Sequence, residues 1–489
     1  MVALAIGCFA FGLGVTWVLI PWLVRWNIAL DHPNELRKRH RCPTPRLGGI
    51  ALMLVFSLIT GFTLLVSDRP LPYLQAFLLV GTALFALGLL DDFRPLPSKG
   101  KLVGQVGVAS GAVLLGLRIE TLPALPGGVW HLDPTLSVLI SIAWLVTIPN
   151  LINLIDGMDG LAGGISLIIC LSLATLGLTA QGPDLLDLSF ITFALAGSLV
   201  GFLRANAPPA RLFLGDGGAY FLGIFLAAAP LTVSFPRTET NPLIPFLVLS
   251  LAVPIIDSTC AFGRRALRGL PVMRGDAEHL HHRLQARGYS PARVLLVLLS
   301  ATLVMTILGT VFFHLGWGNQ QWWTIVFLLP PAVILIPLAG YLSSWSDLPA
   351  SFQRTLRSRK AIQRARLHSD LLVLELDRSS CAADYWRTFE TALRQCHIYV
   401  APSPNRPRNT LHPIPFPLPA PAPTPSPPFT LYYQGLPENH FPEALAECFR
   451  WPFDQGISRW GAPSWALIEP SDRSSAPVPS PTRFGLAQE

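Results

Sequence analysis

Apolar stretches of about 20 residues recur along the first 343 positions, separated by short polar segments rich in Lys and Arg. At roughly 1.5 Å of rise per residue, each stretch can cross a hydrocarbon core of about 30 Å as a helix. The pattern predicts about eleven spanning helices, centred near residues 13, 57, 82, 110, 144, 170, 195, 227, 252, 303 and 333. The stretch around 110 is the weakest, with several glycines and a basic start. Val2 to Val24 has no basic segment before it and no small-residue cleavage site after it, so it reads as a retained helix rather than a signal peptide.

The polar segments then set an orientation. Residues 25–47 hold six Lys/Arg, 91–101 three, 204–216 two and 263–292 six, against Arg69, Arg118 and Arg237 on the opposite loops. The positive-inside rule places the richer side in the cytoplasm. With an odd number of spans, the N-terminus is expected outside and the C-terminus inside.

Composition agrees with a membrane protein and excludes two classes. Of 489 residues, 51% are hydrophobic and only 13% charged, which rules out a soluble globular chain and a disordered one. The net charge of +7 is accounted for by topogenic loops and phosphate ligands, so no nucleic-acid partner is expected. The seven cysteines form no CxxC pair and no disulfide framework.

The last 146 residues change character, with 15 Lys/Arg and 13 Asp/Glu in near balance. Residues 354–366 are basic and suit the anionic inner leaflet. Leu371–Leu376 reads as a strand, Ala382–Cys396 as a helix, and His397–Ala401, Thr430–Tyr433 and Ser464–Ile468 as strands. Between Pro402 and Pro428, 12 of 27 residues are proline, which predicts an extended linker or insertion. The expected fold is an all-α polytopic membrane protein with a small α+β cytoplasmic C-terminal appendage. Its divisions are a transmembrane catalytic domain at 1–343, a first part of the appendage at 344–401, the Pro-rich stretch at 402–428 and a final part at 429–489.

Acidic residues within apolar segments mark function, because a bilayer tolerates them poorly. Asp91, Asp92, Asp156, Asp159 and Asp216 all fall at the cytoplasmic ends of predicted helices, on the side of the basic loops. Paired carboxylates such as Asp91-Asp92 suit Mg²⁺ or proton transfer, or simply a solvated helix end. Asn150, Asn153, Asp156 and Asp159 recur every third residue, and as a helix the first three share a face. Their oxygens suit a hard cation or a nucleobase, and Gly157, Gly160, Gly163 and Gly164 permit close backbone approach. Asp216 lies between Gly215 and Gly217, reachable by a metal or phosphate and equally placed to cap a helix. His279, His281 and His282 lie in a loop with Arg264, Arg265, Arg268, Arg274 and Arg283, a setting for a phosphorylated substrate. The first basic loop adds Arg37, Lys38, Arg39 and His40. Asp257, near a helix end, reads as a buried polar contact or an ion pair.

Five segments in order, DHPN…RKRH…PTPRLGG, LLDDFRPL…KLVGQ, NLINLIDGMDGLAGG, FLGDGG and the HLHH loop, span residues 31–284. Together they resemble the polyprenyl-phosphate N-acetylhexosamine-1-phosphate transferases, and most the bacterial branch that loads GlcNAc-1-phosphate onto undecaprenyl phosphate. The resemblance covers residues 1–343. It implies a Mg²⁺-dependent reaction, with Mn²⁺ as the substitute ion, in which a UDP-N-acetylhexosamine gives its sugar-1-phosphate to a polyprenyl phosphate and UMP leaves. It implies Asn153 and Asp216 at the metal, and Asp91 and Asp92 beside it, orienting or deprotonating the lipid phosphate. It also implies Asp156 and Asp159 at the uridine diphosphate pocket, with Asn150 on the same helix face. Lys38, His40 and Arg274 would contact phosphates or uridine, and His279, His281 and His282 the sugar and diphosphate. A multi-pass location in the plasma (inner) membrane, a cytoplasmic active site and a homodimer come with the likeness, as does a role in cell-envelope polysaccharide synthesis. Ala219 stands where the family often has Ser, and HLHHRL differs from the HHHFE-like loop of the muramoyl-pentapeptide branch.

Three other readings compete: a transporter or flippase of an anionic lipid or nucleotide, a silent membrane anchor, and a phospho-muramoyl-pentapeptide transferase. A transporter places its polar groups at the midplane on broken helices, whereas these clusters gather on one membrane face. An anchor would not need the Asp and His positions, and all are present.

Overall fold

The computed structural model describes residues 1–26, 28–31, 43–68, 70–124, 128–179, 182–235, 240–268, 279–315, 348–396, 398–402, 411–414, 429–434 and short pieces between 448 and 459. The chain divides into two compact units. The first holds residues 1–33, 37–263 and 273–345; the second holds 346–489 with residues 34–36 and 264–272.

Seven helices of the first unit are long and apolar enough to cross a membrane: α1 (Val2–Arg25), α2 (Gly48–Val66), α3 (Pro72–Phe93), α5 (Pro134–Ile155), α6 (Leu161–Thr179), α7 (Pro183–Asn206) and α12 (Pro291–His314). An eighth span is made if α9 (Leu243–Ser250) and α10 (Ala252–Arg268) count as one, bent by 65° where they meet. The protein is therefore a multi-pass membrane protein. The segments expected near 13, 57, 82, 144, 170, 195, 252 and 303 fall on these helices. Those near 110 and 227 fall on shorter helices, α4 (Ser98–Leu114) with 17 residues and α8 (Gly215–Ala228) with 14. The segment near 333 lies outside the described residues.

Helix α8 lies at the centre of the bundle. Every residue in it except Asp216 is buried, so it is a core helix, apolar on all sides because protein surrounds it. Helices α3 and α5 pack on it, while α7 receives α1 and α6. Phe56 of α2, Phe77 of α3, and Phe221 and Phe225 of α8 fill the centre, with ring centroids 5.1–6.2 Å apart. Asp133 opens α5 by accepting bonds from the amides of Thr135 (3.0 Å) and Leu136 (3.1 Å), with Pro134 in the first turn.

Two short ladders close the helix ends: β1 (Leu30–Asp31) with β2 (Thr44–Pro45), and β3 (Thr121–Ala124) with β4 (Gly128–His131), both antiparallel. Beyond β2, the PTPRLGG segment is laced to the segment before α8. The amide of Phe213 donates to the Pro45 carbonyl (2.8 Å), Gly48 to Phe213 (2.9 Å) and Gly49 to Leu214 (3.0 Å). Two motifs far apart in sequence thus form one support under Asp216.

The second unit contains α13 (Leu348–Arg378), α14 (Ala382–Gln395) and a three-stranded antiparallel sheet in the order β5-β7-β6. Its strands are β5 (Ile398–Pro402), β6 (Leu411–Ile414) and β7 (Phe429–Gln434), with Ile398 opposite Tyr433 and Leu411 opposite Gln434. Tyr385, Trp386 and Phe389 of α14 meet Phe453, directly or through one another, and Phe389 also meets Phe449. The strand read at Leu371–Leu376 is helix instead. Ile362, Ala365, Ser369 and Leu372 are buried at helical spacing, and that period prevails over the local run of leucines. Within the Pro-rich stretch, β6 is paired rather than free. The strand expected at Ser464–Ile468 lies outside the described residues.

Candidate active site

The C-terminal ends of α3 and α5 and the N-terminal ends of α4 and α8 meet at one end of the first unit. Asp91 and Asp92 close α3, and as neighbours on a helix they diverge by about 100°. They consequently do different things. Asp91 is buried; its Oδ1 accepts from the Leu96 amide (2.7 Å) and its Oδ2 pairs with the Lys101 ammonium. Asp92 turns to the start of α8, where Oδ1 accepts from the Asp216 amide (2.9 Å) and Oδ2 from the Gly217 amide (2.9 Å). Those two amides have no partner inside their own helix, so Asp92 caps it from another element.

Asp216 faces the other way. Its Oδ2 accepts from Lys101 Nζ (3.1 Å) and its Oδ1 from Asn153 Nδ2 (2.9 Å). Lys101 thus lies between two carboxylates. Loss of surrounding water works against its charge, but Asp91 and Asp216 outweigh this and hold its pKa above the ordinary lysine value. One turn further along α4, Gln105 exchanges bonds with Asn150: Asn150 Nδ2 to Gln105 Oε1 at 2.7 Å, and Gln105 Nε2 to Asn150 Oδ1 at 3.3 Å. Asn150 Nδ2 also donates to the Val146 carbonyl (2.8 Å), so its amide fixes α5 against α4, and it is Asn153 that reaches Asp216.

Gly215 permits this approach. Its φ is +77°, and a Cβ there would lie 2.3 Å from the Arg46 carbonyl oxygen and 2.7 Å from Asp92 Oδ2. Gly215→Ala is therefore expected to cost about 1–2 kcal/mol in backbone conformation alone, with the clash added. The check is a thermal melt of the purified variant, which should fall below wild type together with activity.

The turn between α5 and α6 carries the second group. Desolvation, then the negative charges of Asp216, Asp92 and Asp159, push the Asp156 carboxyl well above the usual carboxylate range, with Arg46 opposing. Asp159 Oδ2 accepts from the Ala210 amide (2.9 Å), tying the turn to the loop before α8. Helix α11 (Leu280–Ala286) lies beside it. A Cβ at Gly157 would fall 3.0 Å from His281 Nε2, and Gln285 Nε2 contacts Met158 Sδ at 3.4 Å. His279 and His281 are stacked at 6.0 Å, His281 and His282 lie 4.2 Å apart, and only His282 is partly exposed.

The structure thus gathers Asp91, Asp92, Asn153 and Asp216 in one cluster, and Asp156, Asp159, His281 and His282 around the adjoining turn. Lys38, His40 and Arg274 lie outside the described residues. Lys101, Gln105 and Arg46 belong to the site although no role was read for them from the sequence. The available signal was the i, i+4 spacing of Lys101 and Gln105, which puts both on one face of α4. Among the described residues, no three His, Cys, Asp or Glu side chains form a ready metal-binding group. The donors facing one another are two carboxylates and one amide. That set fits Mg²⁺, which uses one or two carboxylates and keeps several waters.

Carboxylates, a lysine and an amide thus stand together at one end of an apolar bundle. Residues 74–234 match glycosyl transferase family 4. The chain is 35% identical over 295 residues to the decaprenyl-phosphate N-acetylglucosaminephosphotransferase of Mycobacterium tuberculosis (strain ATCC 25618 / H37Rv), covering 55% of this chain and 72% of the relative. It is 35% identical over 277 residues to the probable undecaprenyl-phosphate N-acetylglucosaminyl 1-phosphate transferase of Bacillus subtilis (strain 168), covering 55% and 73%. It is 32% identical over 286 residues to the phospho-N-acetylmuramoyl-pentapeptide-transferase of Moorella thermoacetica, covering 54% and 83%. The chain belongs to glycosyl transferase family 4, among its polyprenyl-phosphate N-acetylglucosamine-phosphate transferases.

Proposed function

We propose that the protein transfers N-acetylhexosamine-1-phosphate, GlcNAc-1-phosphate first, from a UDP-sugar to a polyprenyl phosphate and releases UMP. The observation that carries this is the run of contacts Asp91–Lys101–Asp216–Asn153 at one end of the apolar bundle. An acceptor with a long isoprenoid tail must lie in the membrane, and a sugar nucleotide must arrive from water. A site at the end of the bundle serves both.

In the step itself, an oxygen of the lipid phosphate bonds to the β-phosphorus of the UDP-sugar. The bond from that phosphorus to the bridging oxygen breaks, and UMP leaves with the electron pair. The lipid phosphate has a second pKa of about 6 and is largely ionised at neutral pH, so orientation matters more than proton removal. We assign that orientation to Asp91, whose Oδ2 pairs with the Lys101 side chain shared with Asp216, whereas Asp92 commits both oxygens to the backbone of α8. Lys101 supplies positive charge against the meeting anions. Asn153 and Asp216 would hold Mg²⁺, which when bound neutralises charge on the diphosphate. Asp156 and Asp159 line the turn assigned to uridine diphosphate, and the histidines of α11 reach toward the sugar and diphosphate. By the distribution of basic residues, the site and the C-terminal segment face the cytoplasm across the plasma (inner) membrane. The HLHH loop favours a simple hexosamine over a peptide-bearing sugar.

The test is transfer of label from UDP-[³H]GlcNAc to undecaprenyl phosphate by purified protein. After treatment with EDTA the expected transfer is at background, and added Mg²⁺ restores it. Undiminished transfer in EDTA would remove the metal from the proposal.

A further inference from the structure

Asp257 takes no part in the step above, yet it is only 2% exposed and lies on α10 within the first unit. A buried acid in an apolar helix is costly, so its partners state its purpose. Asp257 Oδ1 accepts from the Leu280 amide at 2.7 Å, and Oδ2 lies 3.0 Å from His279 Nδ1. Both partners stand at the start of α11, the seven-residue helix that carries the histidines. A helix of two turns cannot hold itself in place.

We propose that Asp257 and His279 form a positioning pair that sets His281 and His282 against the 156–160 turn; this rests on the transferase reading. The geometry gives the pair two functions. An ionised carboxylate only accepts, so the His279 ring must carry a proton on Nδ1, which fixes its tautomer and plane. The other oxygen anchors the first amide of α11. His279, 6% exposed, then stacks at 5° to the His281 ring, and His281 lies against Gly157. His279 acts through His281, and His282, the partly exposed member, meets the substrate.

The test compares full-length wild type with Asp257→Asn, His279→Asn, His279→Ala and the double variant Asp257→Asn/His279→Ala, measuring UMP release against UDP-GlcNAc concentration. Asp257→Asn keeps the shape and one acceptor but turns an amide donor toward Nδ1. Its kcat is expected to fall about 10–100-fold, by analogy with the loss when the partner orienting a metal-bound histidine is removed, with KM within about threefold. His279→Asn keeps a donor where Nδ1 stood and should exceed His279→Ala by about tenfold on the same grounds. The double variant should match His279→Ala, because coupled residues are not additive. Near wild-type kcat in Asp257→Asn, or losses that add in the double variant, would overturn the pair. Hydrogen exchange at residues 279–287 gives a second readout. Faster exchange in Asp257→Asn supports the clamp, and unchanged exchange overturns it. Should wild type itself release no UMP, the transferase reading falls, and the exchange result still decides the pair. Should Asp257→Asn not fold, His279→Asn against His279→Ala decides it.

Discussion

Asp216→Asn is expected to reduce turnover at least ~100-fold, the order seen when one transition-state stabilising group is removed, while the protein stays folded. The side chain is replaced by one of the same shape. The cap on α8 is untouched, because Asp92 bonds the backbone of residues 216 and 217 rather than the Asp216 carboxylate. What is lost is a charge. Lys101 would then face one carboxylate instead of two, and the Asn153–Asp216 pair would cease to be a hard-oxygen site. Turnover and melting temperature measured on one preparation separate these effects. A melt within a few degrees of wild type with near-complete loss of turnover is the predicted pattern. Retained turnover would show that the Asp216 carboxylate is dispensable.

Asp92→Ala is expected to fail differently, losing stability as well as rate. Both oxygens satisfy amides at the start of the central helix, and removing them leaves two donors without partners, at about 1–3 kcal/mol each. The melting temperature should drop by roughly 5 °C or more. Asp216 begins that helix, so the start of α8 would move and turnover would fall with it. Asp92→Asn retains one acceptor and should lie between. The contrast with Asp216→Asn, large rate loss at nearly constant stability, follows from the two carboxylates facing opposite ways. An Asp92→Ala variant as stable as wild type would contradict the capping role.

The sequence marked the right end of the bundle for particular physical reasons. Asp91, Asp92, Asn153 and Asp216 stood out because acids and amides in apolar helices are costly without a purpose. Their division of labour was not legible. DD in a sequence does not say which carboxylate faces α4 and which faces α8; the register at the end of α3 decides that. Lys101 opens the KLVGQ segment, which carried no role by itself, and only the fold places it between two carboxylates. Hydropathy marked α4 and α8 as it marked the longer helices, but it does not say whether lipid or protein surrounds an apolar helix. Helix α8 is as apolar as a span but is enclosed by its neighbours. In the second unit, leucines at 371, 372, 374 and 376 read locally as a strand, while the burial of Ile362, Ala365, Ser369 and Leu372 makes the segment helical. Asp257 was legible as a buried polar group, but its partners lie 22 and 23 residues away and required the fold.

In the proposed reaction the bond broken lies between the two phosphates of the sugar nucleotide. The most direct measurement is the identity of the nucleotide released when purified protein meets UDP-GlcNAc, undecaprenyl phosphate and Mg²⁺, resolved by anion-exchange chromatography. UMP is the expected product, one per lipid product formed, with none when the lipid is omitted or Asp216→Asn is used. Release of UDP, or of no nucleotide from folded protein with any UDP-sugar offered, would contradict it.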